Sequence, residues 1–545
     1  MMKESYIGLV NDSLRSNWNL KAFSDYEGNG YTYAEVASHI HYLHQFYRDC
    51  GIKAGDKIAL YGRNSSNWAI AYLSVITYEA VVVPILPNFT PNEVHHIMNH
   101  SESCILYASD SLWEPLEASK MSTLQISISL EDFSCLYAAQ DNFSTNIQKF
   151  NQLKSNVLDK TCINWQTPSN EKLLAIIYTS GTTGFSKGVM LTHNSITANI
   201  VFSRNHMDLK PGDRILSLLP LAHAYGCSIE FLYPFTTGCH ITFLGKTPSP
   251  QILMQAFASV RPRLILSVPL ILEKIYKTQV KAVLSTPRMK LFLSIPFVEN
   301  IIYKKVLQKL MEFFGNNFIE LIIGGAALNE EVQIFLRKIK FPFTVGYGTT
   351  ECGPLITYAP WYENRLNSCG KCVDTLELKI DSPNPQQEVG EILVKGENVM
   401  VGYYKNQEAT QEAFTEDGWL RTGDLGILDS DGFLYIKGRL KNLIVGPSGQ
   451  NIYPEEIESI INNWPYVSES LVVERKNKLV ALIYPNMEEA DKDKISEIHL
   501  PEIFNKFKDE MNKKLPAYMN VNRIEIYPHE FEKTPKNSIK RFLYT

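Results

Sequence analysis

The sequence predicts an α/β fold built on parallel or mixed sheets, followed by a smaller α+β module. Three observations carry this. Short apolar runs such as 57–61 and 80–85 alternate with amphipathic stretches up to about residue 170, the βα pattern of a sheet covered by helices. The run LLAIIY at 173–178 is continuously apolar and then breaks into a loop of small and hydroxyl residues, as a strand buried on both faces does. Beyond residue 454 the pattern reads as a helix at 454–463, strands near 467–473 and 478–484, a helix at 501–513 and a strand at 523–527. That is a compact α+β unit.

At 545 residues the chain has room for about three or four average domains, or for one large α/β domain and a small companion. Hydrophobic residues make up 45% of the chain, enough for a sizeable core. The net charge of −5 argues against a general nucleic-acid binder. The N-terminus lacks a continuous apolar stretch, so no signal peptide is expected. The apolar region 68–86 is interrupted by Glu79 and Pro84 and reads as a core helix leading into a strand rather than a membrane span. The nine cysteines are scattered without pattern, which suggests reduced thiols in a cytoplasm. Cys369 and Cys372 form a C-x-x-C with no second pair at zinc spacing and are expected to be structural. His95, His96 and His100 sit close together on a predicted helix, with Glu93, Glu102 and Cys104 nearby, yet match no metal-ligand spacing.

The loop after the apolar strand, Thr179-Ser180-Gly181-Thr182-Thr183-Gly184-Phe185-Ser186-Lys187-Gly188, holds five hydroxyls, three glycines and a lysine. Glycines let backbone N–H groups turn toward an anion, hydroxyls add donors, and lysine adds positive charge. This suits a polyphosphate. It is not a Walker A loop, because Phe185-Ser186 separate Gly184 from Lys187. Two further strand-then-loop runs follow. FIELIIGGAAL at 318–328 ends in Gly324-Gly325-Ala326-Ala327, and Phe343–Val345 leads into Gly346-Tyr347-Gly348-Thr349-Thr350-Glu351. Small residues at a strand's C-terminal end allow a flat ring to approach the backbone.

The string TSGTTGFSKG at 179–188, the two later loops in this order, and GWLRTGDLG at 418–426 together resemble the adenylate-forming superfamily of acyl-CoA synthetases, peptide-synthetase adenylation domains and firefly-type luciferases. The resemblance spans nearly the whole chain. It implies a large multi-layer N-terminal domain, residues 1–437, and a small mobile α+β C-terminal domain, residues 438–545. Thr179 to Gly184 and Lys187 would hold the ATP phosphates. Gly325, Ala326, Ala327, Gly346, Tyr347, Gly348 and Thr349 would form the adenine site, with Tyr347 stacking on the base. Thr350 would contact the α-phosphate, and Glu351, together with Thr182, would hold Mg²⁺. A carboxylate suits that hard ion. Asp424 would take the ribose hydroxyls, Arg439 the ribose and phosphate, and His223, in SLLPLAHAYG at 217–226, would lie against the acyl site. In isolation a lone histidine there reads as a structural hydrogen-bonder. Lys441 in GRLKN would be the hinge, and Gly449 would line a thiol tunnel.

The pattern departs from the family at its end. Aligning Lys533-Thr534 and Ile539 places Asn537 at the usual glycine and Ser538 at the usual catalytic lysine. Of the nearby lysines 533, 536 and 540, Lys540 is the candidate to replace it. ATP and Mg²⁺ are the implied cofactors, with coenzyme A and a fatty acid as substrates. The strings at 193–194, 219–223, 438–441 and 449–458 most resemble bacterial long-chain synthetases. An acyl carrier protein is the alternative thiol acceptor, which would make the chain an acyl-carrier-protein synthetase or acyl-AMP ligase. A nucleotide-binding homologue without catalysis is the alternative class that Ser538 raises. The stretch 284–317 is apolar and basic. It is expected to pack on the core with a solvated basic face; the alternative is peripheral contact with the inner membrane by an otherwise cytoplasmic protein.

Overall fold

A computed structural model describes residues 1–179, 187–246, 248–446, 450–534 and 539–544. The chain divides into two compact units. Over the described residues, the first comprises Met1–Thr179, 187–377 and Val394–Leu420, and the second comprises Leu378–Leu393 and 421–544.

The first unit holds two large sheets. One runs in the order Gly402–Tyr403, Lys187–Thr192, Leu173–Thr179, Val81–Ile85, Lys57–Tyr61, Ser103–Ala108, Ile126–Ser129, Cys135–Ala138, with parallel pairing from Leu173–Thr179 to Ile126–Ser129. The helix Ser66–Thr77 is buried along its whole length, and Ser65 caps it by accepting from the Trp68 N–H at 3.1 Å. An all-round apolar helix of that length belongs in a core. Among the described residues no helix is long and apolar enough to cross a membrane. The strand Lys187–Thr192 returns antiparallel to Leu173–Thr179, with Thr179 opposite Lys187. Thr192 then caps helix His193–His206 by accepting from the Ser195 N–H. The sequence pattern announces no strand here, because six residues give too little pattern to separate a strand from a loop.

The other sheet runs Phe343–Val345, Glu320–Ile323, Leu264–Ser267, Arg214–Ser217, His240–Phe243, Lys21–Asp25, Gly30–Thr32. All pairs are parallel except the last. The loops after Ser217, Ser267, Ile323 and Val345 therefore leave at one edge, the carboxyl ends where open α/β sheets bind ligands.

The segment 284–317 follows the expectation in part. It forms helices Pro287–Leu293 and Pro296–Phe313. The second packs one side on the core, through buried Leu310 and the Tyr303–Phe335 and Phe313–Phe257 ring contacts, with Phe314 buried just beyond it, and turns Lys304, Lys305 and Lys309 to solvent. The first has no buried residue, and most apolar side chains at 291–301 are exposed rather than packed; amphipathic spacing does not specify what covers each face.

The second unit holds most of a sheet formed by Leu376–Asp381, Gly390–Gly396, Leu420–Leu428 and Leu434–Arg439. It also holds a three-stranded sheet, Val467–Arg475, Lys478–Pro485 and Val521–Ile526. Helices Pro454–Ile461 and Leu500–Asn512 bury Ile457, Ile461, Phe504 and Met511 in one cluster with Leu479 and Ala481 of that sheet. These elements match the predicted ones to within about two residues, the usual uncertainty of helix ends.

Candidate active site

In the first unit, the loops at the sheet edge are tied together by buried polar groups. Asn64 donates to the Leu219 carbonyl at 2.7 Å and accepts from the Leu221 N–H at 2.9 Å. Glu230, fully buried on the π-helical turn Gly226–Leu232, accepts from Ser217 Oγ and from the N–H groups of Leu218 and Leu219 at 3.0–3.1 Å. The loop carrying His223 is thus fixed at both ends, and His223 Nδ1 accepts from the Tyr225 N–H at 3.3 Å. Tyr225 reaches across to donate to the Ile322 carbonyl at 3.1 Å, its ring lying where a Cβ on Gly324 would stand 3.0 Å from it. Any other residue at 324 would push this ring away. Beside the ring, Gly325 has φ +87° and open space on its Cβ side, a cradle fit for a flat base.

The third loop is anchored in the same way. Ser228 Oγ donates to the Gly353 carbonyl at 2.8 Å. Asn199 donates to the Cys352 carbonyl at 3.0 Å and accepts from the Leu355 N–H at 2.9 Å. A Cβ on Gly348 would meet the Pro354 carbonyl oxygen at 2.0 Å, so this crossing admits glycine alone. Glu351 sits in the short helical turn Thr350–Cys352. Its backbone carbonyl accepts from the Met400 N–H at 2.7 Å and its carboxylate from the Tyr403 hydroxyl at 3.0 Å. The Tyr403 ring lies 5.0 Å from Lys187 Nζ, a cation–π contact. One tyrosine therefore joins the lysine of the first motif to the glutamate of the third. Ser180, Gly181, Thr182, Thr183 and Gly184 lie outside the described residues.

Glu230's pKa is pushed up to about 8 by burial, against its three hydrogen bonds. Its ordinary value is 4.5, so between those values the fold binds a proton the unfolded chain lacks, and stability falls as pH rises. Thermal unfolding from pH 5 to 8 should show this loss, up to about 1 kcal/mol per pH unit. Glu230→Gln, which keeps the acceptor without titrating, should flatten the slope. Glu320, pushed up to about 7 by burial, contributes a similar slope that remains in the variant. Equal slopes in both proteins would rule the assignment out.

In the second unit, Asp424 is 4% exposed and pairs with Arg439, Nε to Oδ1 at 2.8 Å. The two face each other across antiparallel strands. Lys441 follows in the short turn Leu440–Asn442, exposed to solvent, while Asn442 is held by Glu455 at 2.6 Å. At the C-terminal end, Lys533 is clamped by Glu469 at 2.7 Å and by Glu530. Lys540 is looser, 3.6 Å from Glu532. Lys536, Ser538 and Gly449 lie outside the described residues.

The histidine group on helix Pro91–Ser101 makes ordinary contacts. His95 accepts from the Glu117 N–H at 3.0 Å, and His100 hydrogen-bonds the Tyr178 hydroxyl at 2.7 Å. No cluster of three or more metal-binding side chains occurs among the described residues. Mg²⁺ fits the site nonetheless, since it is commonly held by one or two carboxylates together with substrate phosphates, and Glu351 supplies a carboxylate. Cys369 and Cys372 are not joined in a disulfide.

The AMP-binding enzyme family matches residues 12–404. A long-chain-fatty-acid–CoA ligase of Mycobacterium bovis is 28% identical over 466 residues, covering 81% of this chain and 75% of its own. The putative acyl-CoA synthetase YngI of Bacillus subtilis is 28% identical over 477 residues, covering 81% and 80%. Among solved structures, the o-succinylbenzoate CoA synthetase of B. subtilis in complex with its acyl-adenylate intermediate superposes with a TM-score of 0.77 at 22% identity, covering 100% of this chain and 99% of that one. ATP-bound MatB from Rhodopseudomonas palustris gives 0.77 at 21% identity, with coverage of 99% and 98%. The chain belongs to the AMP-binding enzyme family. By that membership it is an adenylate-forming ligase of the acid–CoA class, working with ATP, Mg²⁺ and coenzyme A. The fold read from the sequence, a large α/β N-terminal domain with parallel and mixed sheets and a small C-terminal domain, is the fold of these neighbours.

Proposed function

We propose that the protein activates a long-chain fatty acid as its coenzyme A thioester. An acid carboxylate oxygen attacks the ATP α-phosphorus, the bond to the bridging oxygen breaks, and pyrophosphate leaves. The thiolate of coenzyme A then attacks the acyl carbonyl and AMP departs. Lys187 neutralises the leaving pyrophosphate, Glu351 and Thr182 would hold Mg²⁺, which would supply further positive charge to the phosphates, and Thr350 contacts the α-phosphate. Steps of this kind depend on positioning and charge neutralisation. Gly325, Ala326, Ala327 and Tyr347 take the base; Asp424 and Arg439 take the ribose. His223 borders the acyl carbonyl. Residues 438–545 form the mobile domain, turning about Lys441 and presenting Gly449 to the thiol after adenylation.

The single observation that carries this reading is the Lys187–Tyr403–Glu351 connection, which holds an ammonium and a carboxylate on one tyrosine. The fatty substrate is supported by the Mycobacterium relative, at 28% identity. A panel of acids tests it: butyrate, octanoate, palmitate, malonate and o-succinylbenzoate, each with ATP, Mg²⁺ and coenzyme A. Palmitate should have the highest kcat/KM, by at least about tenfold over butyrate, since each buried methylene contributes about 0.8 kcal/mol. Preference for malonate or o-succinylbenzoate would overturn the substrate assignment. Acyl-adenylate that passes to a carrier protein and not to coenzyme A would overturn the acceptor.

A further inference from the structure

The helices Pro287–Leu293 and Pro296–Phe313 turn large apolar side chains outward. Leu291, Phe292, Ile295, Phe297 and Ile301 are 67%, 44%, 46%, 77% and 42% exposed. Single exposed apolar residues are ordinary, but five within eleven positions form a patch of the kind that marks an interaction surface. The two helices pack on one another, so the patch belongs to one structural element.

The charge around the patch identifies its partner. Arg288, Lys290, Lys304, Lys305 and Lys309 are all exposed, against two carboxylates in 284–317. Those two are engaged: Glu299 pairs with Lys338 at 2.6 Å, and Glu312 accepts from Gln308 at 2.9 Å. The segment is thus +3 in a chain of net charge −5. A second copy of this face would meet its own positive charge. A bilayer with anionic headgroups offers both an apolar layer for the phenylalanines and negative charge for the cations.

We infer that 287–313 docks the protein on an anionic lipid surface, with Phe292, Ile295 and Phe297 inserted at the headgroup boundary. The segment lies in the crossover between the parallel strands Leu264–Ser267 and Glu320–Ile323. A lipid surface would suit a fatty substrate, and only that benefit rests on the proposed function; the docking does not.

The full-length protein is floated with vesicles of phosphatidylcholine alone or of phosphatidylcholine with phosphatidylglycerol at 3:1, without ATP, acid or coenzyme A. Omitting the reactants separates a failure of docking from a failure of the substrate assignment. The expected result is at least about tenfold stronger binding to the anionic vesicles, reduced by 0.5 M salt, which shortens screening to a few ångströms. The pair Phe292→Ser/Phe297→Ser and the pair Lys304→Glu/Lys305→Glu should each abolish it, with unchanged thermal midpoints because these side chains are exposed. Binding to neither vesicle, equal binding to both, or anionic binding that survives both pairs would overturn the inference. A concentration-dependent dimer lost in Phe297→Ser, without vesicle binding, would do so as well, by making the patch a self-interface.

Discussion

Replacing Glu351 by glutamine should lower pyrophosphate release by about 10²–10³-fold, the usual loss when a group stabilising transition-state charge is removed. The amide keeps the shape and the Tyr403 hydrogen bond but lacks the charge that Mg²⁺ requires. The Mg²⁺ concentration for half-maximal rate should rise as well. Tyr403→Phe keeps the ring over Lys187 and loses one hydrogen bond to Glu351, so its cost should be about fivefold. Tyr403→Leu removes the ring too and should cost more. Pyrophosphate release titrated with Mg²⁺ separates these outcomes. An unchanged Mg²⁺ requirement in Glu351→Gln would remove the glutamate from the metal.

Lys540→Ala should reduce adenylation by a comparable factor, about 10²–10³, while thioester formation from supplied acyl-adenylate stays within about twofold. The contrast comes from the surroundings of the two described lysines. Lys533 is drawn down by burial, but Glu469 and Glu530 hold its pKa above the ordinary value, and both carboxylates engage it. Moving it would leave Glu469 and Glu530 unpaired. Among the described residues Lys540 pairs with Glu532 at 3.6 Å, and it can leave that carboxylate at a cost of about 1 kcal/mol or less. Lys533→Ala should therefore change adenylation little. If Lys533→Ala proves slow and Lys540→Ala normal, the assignment is reversed.

What the sequence showed depended on how local each signal is. Strands such as Lys57–Tyr61 and the C-terminal helices are written in short-range periodicity, and the structure has them. Asp424, Glu351 and Lys187 can be proposed from the sequence because a dense local motif surrounds each. Tyr403, Asn199, Asn64 and Glu230 were not. Their importance lies in contacts across long chain separations, such as Tyr403 to Glu351 and Asn199 to Leu355, and no short string announces them. Tyr225 left a faint trace, since Gly324 is small where the ring arrives. The core-packed side and the basic face of 296–313 are legible in its sequence, but the exposure of the apolar side chains at 291–301 is not, because amphipathic spacing gives a helix two faces without saying what covers them.

The most direct test of the account is a rapid-quench experiment with ATP, Mg²⁺ and palmitate, first without and then with coenzyme A. Enzyme-bound palmitoyl-adenylate and pyrophosphate should form in near-equal amounts before the thiol is added, and AMP with palmitoyl-CoA afterwards. ATP bound without pyrophosphate from any acid of the panel would contradict the account and make the chain a nucleotide-binding protein without adenylation, with Ser538 at the usual lysine as the cause.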